Sequence, residues 1–173
     1  TEALAYLQRT VVVQVKSLGE DHASVGNTYD KIALTLKHQG KYDEAMEYYH
    51  LALAILVNAL GEDHPSIGNT YYSMAMVLGA ESKATEAFVY YQKAVANKAK
   101  TLGEFHTSLG SMYKGVASGF HMQGMHTEAM EYYQKALKVA MNAVGGDQSS
   151  VGDAHYDIAM FSGEQGNFAE AAE

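Results

Sequence analysis

Eight histidines in a chain of 173 residues are the first side chains that could do chemistry. Imidazole changes charge near neutral pH and is a common metal ligand. His22, His64 and His106 are spaced 42 residues apart, too far along a regular array to converge on one ion. At loop positions of this kind the expected role is hydrogen bonding and helix capping. His121 and His126 are five apart across Gly124 and lack the glutamate of a zinc-protease helix. His38 and His121 lie one place apart in register on a shared stretch, where they would make binding sensitive to pH.

Other reactive constellations are missing. The chain has no cysteine, hence no thiolate nucleophile, thiolate metal site or disulfide framework. There is no phosphate-binding Gly-x4-Gly-Lys-Ser/Thr loop and no Gly-x-Gly-x-x-Gly after a strand. Gly115-Val116-Ala117-Ser118-Gly119 resembles a nucleophile elbow, but its serine stands one place late. Those two glycines are expected inside a helix, which they would weaken. Glu128 and Glu131 fall in a first helical turn, where the helix dipole favours anions without any acid–base role. The Tyr48-Tyr49, Tyr90-Tyr91 and Tyr132-Tyr133 pairs recur at helical spacing and read as packing rather than as a base-stacking platform. The expectation is a protein that is not an enzyme, with no cofactor and no metal site.

The elements carrying these residues repeat. Gly19, Gly61, Gly103 and Gly145 fall 42 residues apart, and 173 residues make four such periods with five over. Gly26, Gly68, Gly110 and Gly152 match, as do Ala33, Ala75, Ala117 and Ala159, and Ala45, Ala87, Ala129 and Ala171. Many independent positions agree on one ungapped period, the signature of a repeat array. Each repeat reads as two helices. Helix A runs from Val25 to Gln39, with Val25, Tyr29, Ile32, Ala33 and Leu36 on one stripe. Helix B runs from Asp43 to Ala59, with Ala45, Tyr48, Tyr49, Ala52, Ile55 and Leu56 inward. Gly40 and Gly61 end them, Pro65 suits a first turn, and Asp63 or His64 would cap the next helix. A lone pair cannot bury its apolar face, so neighbours stack. The expected fold is all-α, a right-handed α-solenoid of antiparallel helix pairs. Residues 1–18 would be the end of a preceding helix B, 24–60, 66–102 and 108–144 full pairs, and 150–173 a partial repeat.

The residues Tyr29, Ile32, Ala33 and Leu36 on helix A, with Ala45, Tyr49 and Ala52 on helix B, resemble the tetratricopeptide repeat. That unit is usually about 34 residues long, so this version has a longer helix B and loop. Leu-Gly-Glu-Asp-His-Pro-Ser-Ile-Gly at 60–68 and Gln-Gly-Lys-Tyr-Asp-Glu-Ala at 39–45 resemble the 42-residue repeats of kinesin light chain and its relatives. Where those proteins commonly place an asparagine that helps bind cargo peptides, this chain has Asp30, Tyr72, Lys114 and Tyr156, so that site does not transfer residue by residue.

The resemblance implies a peptide-binding concave groove lined by helix A positions that face away from helix B. In this chain they are Asn27, Asp30, Leu34, Lys37 and His38; Asn69, Tyr72 and Met76; Ser111, Lys114, Ser118 and His121; and Asp153, Tyr156 and Met160. Gly79, Ala80, Met122, Gly163 and Glu164 extend the set. These positions vary between repeats while the packing positions do not. The apolar members would anchor a linear segment, and Asp30, Lys37, Lys114 and Asp153 would set its direction.

A charge of −8 opposes nucleic acid as the main partner. No apolar run reaches membrane-spanning length, so no membrane insertion is expected. The lack of cysteine suits a reducing compartment, and a cytoplasmic location is expected. The chain opens on Thr1 and reads as a fragment, with no signal peptide in view. Two further roles fit: an architectural array that self-associates through exposed ends such as Val11, Val12, Val13 and Val15, or the regulatory domain of a larger enzyme or signalling protein.

Overall fold

A computed structural model describes residues 2–143, 148–164 and 166. The described residues form eight α-helices and no strand: α1 (Glu2–Leu18), α2 (Ala23–His38), α3 (Tyr42–Leu60), α4 (Pro65–Ala80), α5 (Ala84–Leu102), α6 (Thr107–Met122), α7 (His126–Asn142) and α8 (Gln148–Glu164). Helices α2, α4, α6 and α8 carry the helix A pattern; α1, α3, α5 and α7 carry the helix B pattern. The repeated Gly145 and Ala171 lie outside the described residues.

Three of the four A helices, α2, α4 and α6, start at a histidine. His22, His64 and His106 are extended caps, and their Nδ1 atoms accept the backbone N–H of Ser24, Ser66 and Ser108 at 3.1, 3.2 and 3.2 Å. The imidazole thus satisfies one of the donors that an α-helix leaves open at its start, and it can do so only with Nδ1 unprotonated. Gly40 and Gly124, both at φ 74°, close the turn after helix A, with Lys41 and Met125 donating back to Leu36 and Phe120. In the second repeat Ser82 holds the same place at φ 60°.

The chain forms two compact units, residues 1–97 and 98–173. In the first, α1 packs on α2, α2 on α3 and α3 on α4. Ala33, Ala45 and Ala52 are fully buried between the helices, and these small side chains allow close approach. Around them Ile32, Leu36, Tyr49 and Leu56 are buried, each worth about 1.5–3 kcal/mol relative to exposure. Gly26 permits the closest approach: a Cβ there would lie 2.9 Å from Leu56 Cγ. Asn97 fixes the corner before α4, accepting from Gly68 N–H at 3.1 Å and donating to the Glu62 carbonyl at 2.9 Å. In the second unit α7 packs against α6 and α8, over buried Leu109, Val116, Ala117, Ala129 and Ala136.

The first tyrosine of each pair stacks on a helix A tyrosine. Tyr29–Tyr48, Tyr71–Tyr90 and Tyr113–Tyr132 have ring centroids 5.7, 6.1 and 5.9 Å apart. The second tyrosine is buried in all three pairs.

Candidate functional site

Three of the groove candidates, Tyr72, Met76 and Ser118, do not turn away from helix B but touch its buried second tyrosines. In the first unit Tyr91 connects two groove candidates. Its ring lies 5.8 Å from that of Tyr72, and its hydroxyl donates to Met76 Sδ at 3.2 Å. One repeat earlier, the Tyr49 hydroxyl is buried beside Ser73, and burial pushes this phenol up to about 12. In the second unit Tyr133 and Ser118 share a 3.3 Å hydroxyl contact. The same tyrosine position thus meets a methionine in one repeat and a serine in the others.

Along the helix A face in the first unit, Asn27, His38 and Asn69 are exposed, as is Leu34. Asp30, Lys37, Tyr72 and Met76 are half-buried. Asp30 Oδ1 accepts from Thr70 Oγ1 at 2.9 Å, tying α2 to α4. Burial raises the Asp30 carboxyl above its ordinary value, and the Thr70 hydrogen bond only partly opposes this. Burial also lowers the Lys37 ammonium.

In the second unit, Ser111, Ser118, Asp153, Tyr156 and Met160 are exposed, and Met122 is 79% accessible. Lys114 and His121 are half-buried and engaged across to α8: Lys114 Nζ lies 2.7 Å from Asp157 Oδ2, and His121 Nε2 lies 3.1 Å from Glu164 Oε2. The His121 ring also meets Phe161 edge-on at 4.9 Å. Asp157 and Phe161 are absent from the groove set read from the sequence, although both ion pairs span 43 residues. Between α6 and α8 these contacts fall one period plus one apart, whereas Asp30 and Thr70 join α2 to α4 at a spacing of 40.

A cavity of about 130 Å³ opens among α6, α7 and α8. Ser111, Lys114 and Asp153 line it with the small residues Gly110, Ala136 and Ala140. Its origin lies in one register position. Leu56 fills the space against Gly26, whereas Ala140 holds the equivalent place against Gly110, where an added Cβ would meet only Val139 Cγ1 at 3.5 Å and more distant atoms. Among the described residues, no three His, Cys, Asp or Glu side chains come together to hold a metal, and no helix is long and apolar enough to cross a membrane.

Stacked helix pairs with this face define a helical-repeat protein. The tetratricopeptide repeat family profile matches residues 1–56, 24–100 and 66–142, and the chain belongs to that family. No curated protein sequence matches it. Among solved structures it is similar to a Podosopora anserina kinesin-light-chain-type protein of nearly identical TPR-like repeats, with TM-score 0.80, 24% identity, and coverage of 99% of this chain and 81% of that one. It is also similar to BtubC (BKLC) from P. vanneervenii, with TM-score 0.74, 21% identity and coverage of 86% of this chain. The match spans 59% of the BtubC chain. These likenesses establish the all-α solenoid fold. Repeats of this family generally mediate protein–protein interaction.

Proposed function

We propose that this chain is a non-enzymatic scaffold that binds a peptide segment along the helix A face. The cavity beside Ser111, Lys114 and Asp153 carries the reading, because it joins an apolar floor to a charged rim on that face. A volume near 130 Å³ suits one large side chain, since a cavity of about 150 Å³ accommodates benzene. Leu34, Met122, Tyr156 and Met160 supply exposed apolar contacts, and the methionines can adapt to differently shaped partners. Asp30, Lys37 and Asp153 supply charges of both signs. The likeness in fold to kinesin-light-chain-type repeats favours a cargo-adaptor role as the sharper form of this reading.

The test is an affinity capture with the 173-residue chain, repeated with Lys114→Ala and Tyr156→Ala. Both variants are expected to lose the principal partner while keeping the wild-type melting temperature. Identical partner lists from all three proteins would move the binding surface elsewhere.

A further inference from the structure

The repeats act as controls for one another, and one corner of the second unit departs from the pattern. The loop before helix A reads Gly-Glu-Asp-His at 19–22 and 61–64, but Gly-Glu-Phe-His at 103–106. Phe105 thus replaces an aspartate and is 40% exposed. The register of Val139 is apolar in the first repeat as well, at Ile55, and holds a polar residue in the second, where Asn97 clamps the corner through Gly68 and Glu62. Val139 can make neither of Asn97's hydrogen bonds, and beside Phe105 it forms an apolar floor. In the register of Ala96 the second unit has the exposed Lys138.

The two changes, Phe105 and Lys138, converge with Val139 on one depression of about 220 Å³, lined by Ala99, Glu104, Phe105, Tyr113, Lys135, Lys138 and Val139. None of the helix A groove candidates lines it. Lys135 lies over the Tyr132 ring at 4.2 Å, which positions its ammonium at the rim. Two lysines against the single carboxylate of Glu104 make the corner locally basic on a chain of charge −8.

We propose that this corner is a second docking site, for an acidic protein segment that inserts one leucine-sized side chain beside Phe105 over Val139. The apolar floor takes the side chain, and Lys135 and Lys138 face the flanking carboxylates. The site rests on the general protein-binding reading of the chain, yet it opens apart from the helix A face: the two linings share only Val139, and Phe105, Lys135 and Lys138 belong to this corner alone.

The test is fluorescence anisotropy of the whole chain with a fluorescein-labelled synthetic peptide, Glu-Glu-Leu-Leu-Glu-Glu, and with its Lys-for-Glu counterpart. The acidic peptide is expected to bind saturably and more weakly at high salt, and the basic one not to bind. Phe105→Asp, which restores the residue of the other loops, and Lys138→Ala, which restores that of the preceding repeat, are each expected to weaken binding about fivefold or more. Tyr72→Ala and Tyr156→Ala are expected to leave it unchanged. No saturation by about 1 mM peptide would overturn the proposal. So would wild-type affinity in either corner variant with an unchanged melting temperature, or a loss confined to Tyr156→Ala. Should Phe105→Asp fail to fold, the exposed Lys138→Ala decides alone.

Discussion

Two residues hold conformations or charges that their surroundings oppose. Asp30 is a half-buried carboxyl on α2 whose ionisation burial disfavours, with the Thr70 hydroxyl as its compensating donor. A carboxyl raised above its unfolded value of 3.8 contributes stability below that value and loses it as pH rises through the folded one. Asp30→Asn keeps an oxygen acceptor for Thr70 and removes the buried charge. It is expected to raise the melting temperature at pH 7, with the gap to wild type closing as pH falls towards 4. Calorimetry at several pH values checks this, and a gap that widens in acid would contradict the burial argument. Ser82 holds the left-handed backbone that Gly40 and Gly124 hold in the neighbouring repeats. That conformation costs a side-chain-bearing residue roughly 1–2 kcal/mol, so Ser82→Gly is expected to stabilise the protein by about 0.5–1 kcal/mol. Urea unfolding measures it, and no gain would mean that the Ser82 side chain contributes local interactions of equal size.

At the scale of helix pairs, one glycine position tells a filled interface from an open one. Gly26 and Gly110 occupy the same register in α2 and α6. An added methyl at Gly26 would press on the Leu56 branch carbon at 2.9 Å and the Ala52 carbonyl at 3.3 Å, neither of which is a flexible end. Gly26→Ala is therefore expected to destabilise by about 1–3 kcal/mol through overpacking. At Gly110 the nearest atom lies at 3.5 Å, an ordinary contact. There the helix-propensity gain prevails, and Gly110→Ala is expected to stabilise by about 0.5–1 kcal/mol. Thermal unfolding of the two variants gives the comparison directly. Equal effects would show that the register difference between Leu56 and Ala140 has no energetic consequence. The histidine caps act at the same scale: one side chain type, copied at three loops, starts three helices with nearly identical geometry.

For the molecule as a whole, the period made the fold legible, because the positions that recur are those that must pack. The buried alanines, the stacked tyrosines and the capping histidines all sit where the repeat places them. The site was less legible, because its features arise where repeats differ and where successive A helices meet. Nothing local to Lys114 or His121 announces Asp157 or Glu164, which lie 43 residues on. The cavity was hidden for a related reason: Ala140 looks like one more small packing residue until Leu56 is seen to fill the same register. That comparison yields a test linking stability to function. Ala140→Leu restores the side chain that packs against Gly26 in the first repeat and places it in the 130 Å³ space beside Gly110. Filling a void of this size is expected to stabilise the protein by about 1–2 kcal/mol. It also removes the space into which a peptide anchor would fit, so affinity for a captured partner is expected to fall about tenfold. Stability and affinity should therefore move in opposite directions, a combination that a variant acting only through misfolding cannot produce. A stability gain with unchanged affinity would remove the cavity from the binding surface and leave the exposed Leu34, Tyr156 and Met160 as its apolar anchors.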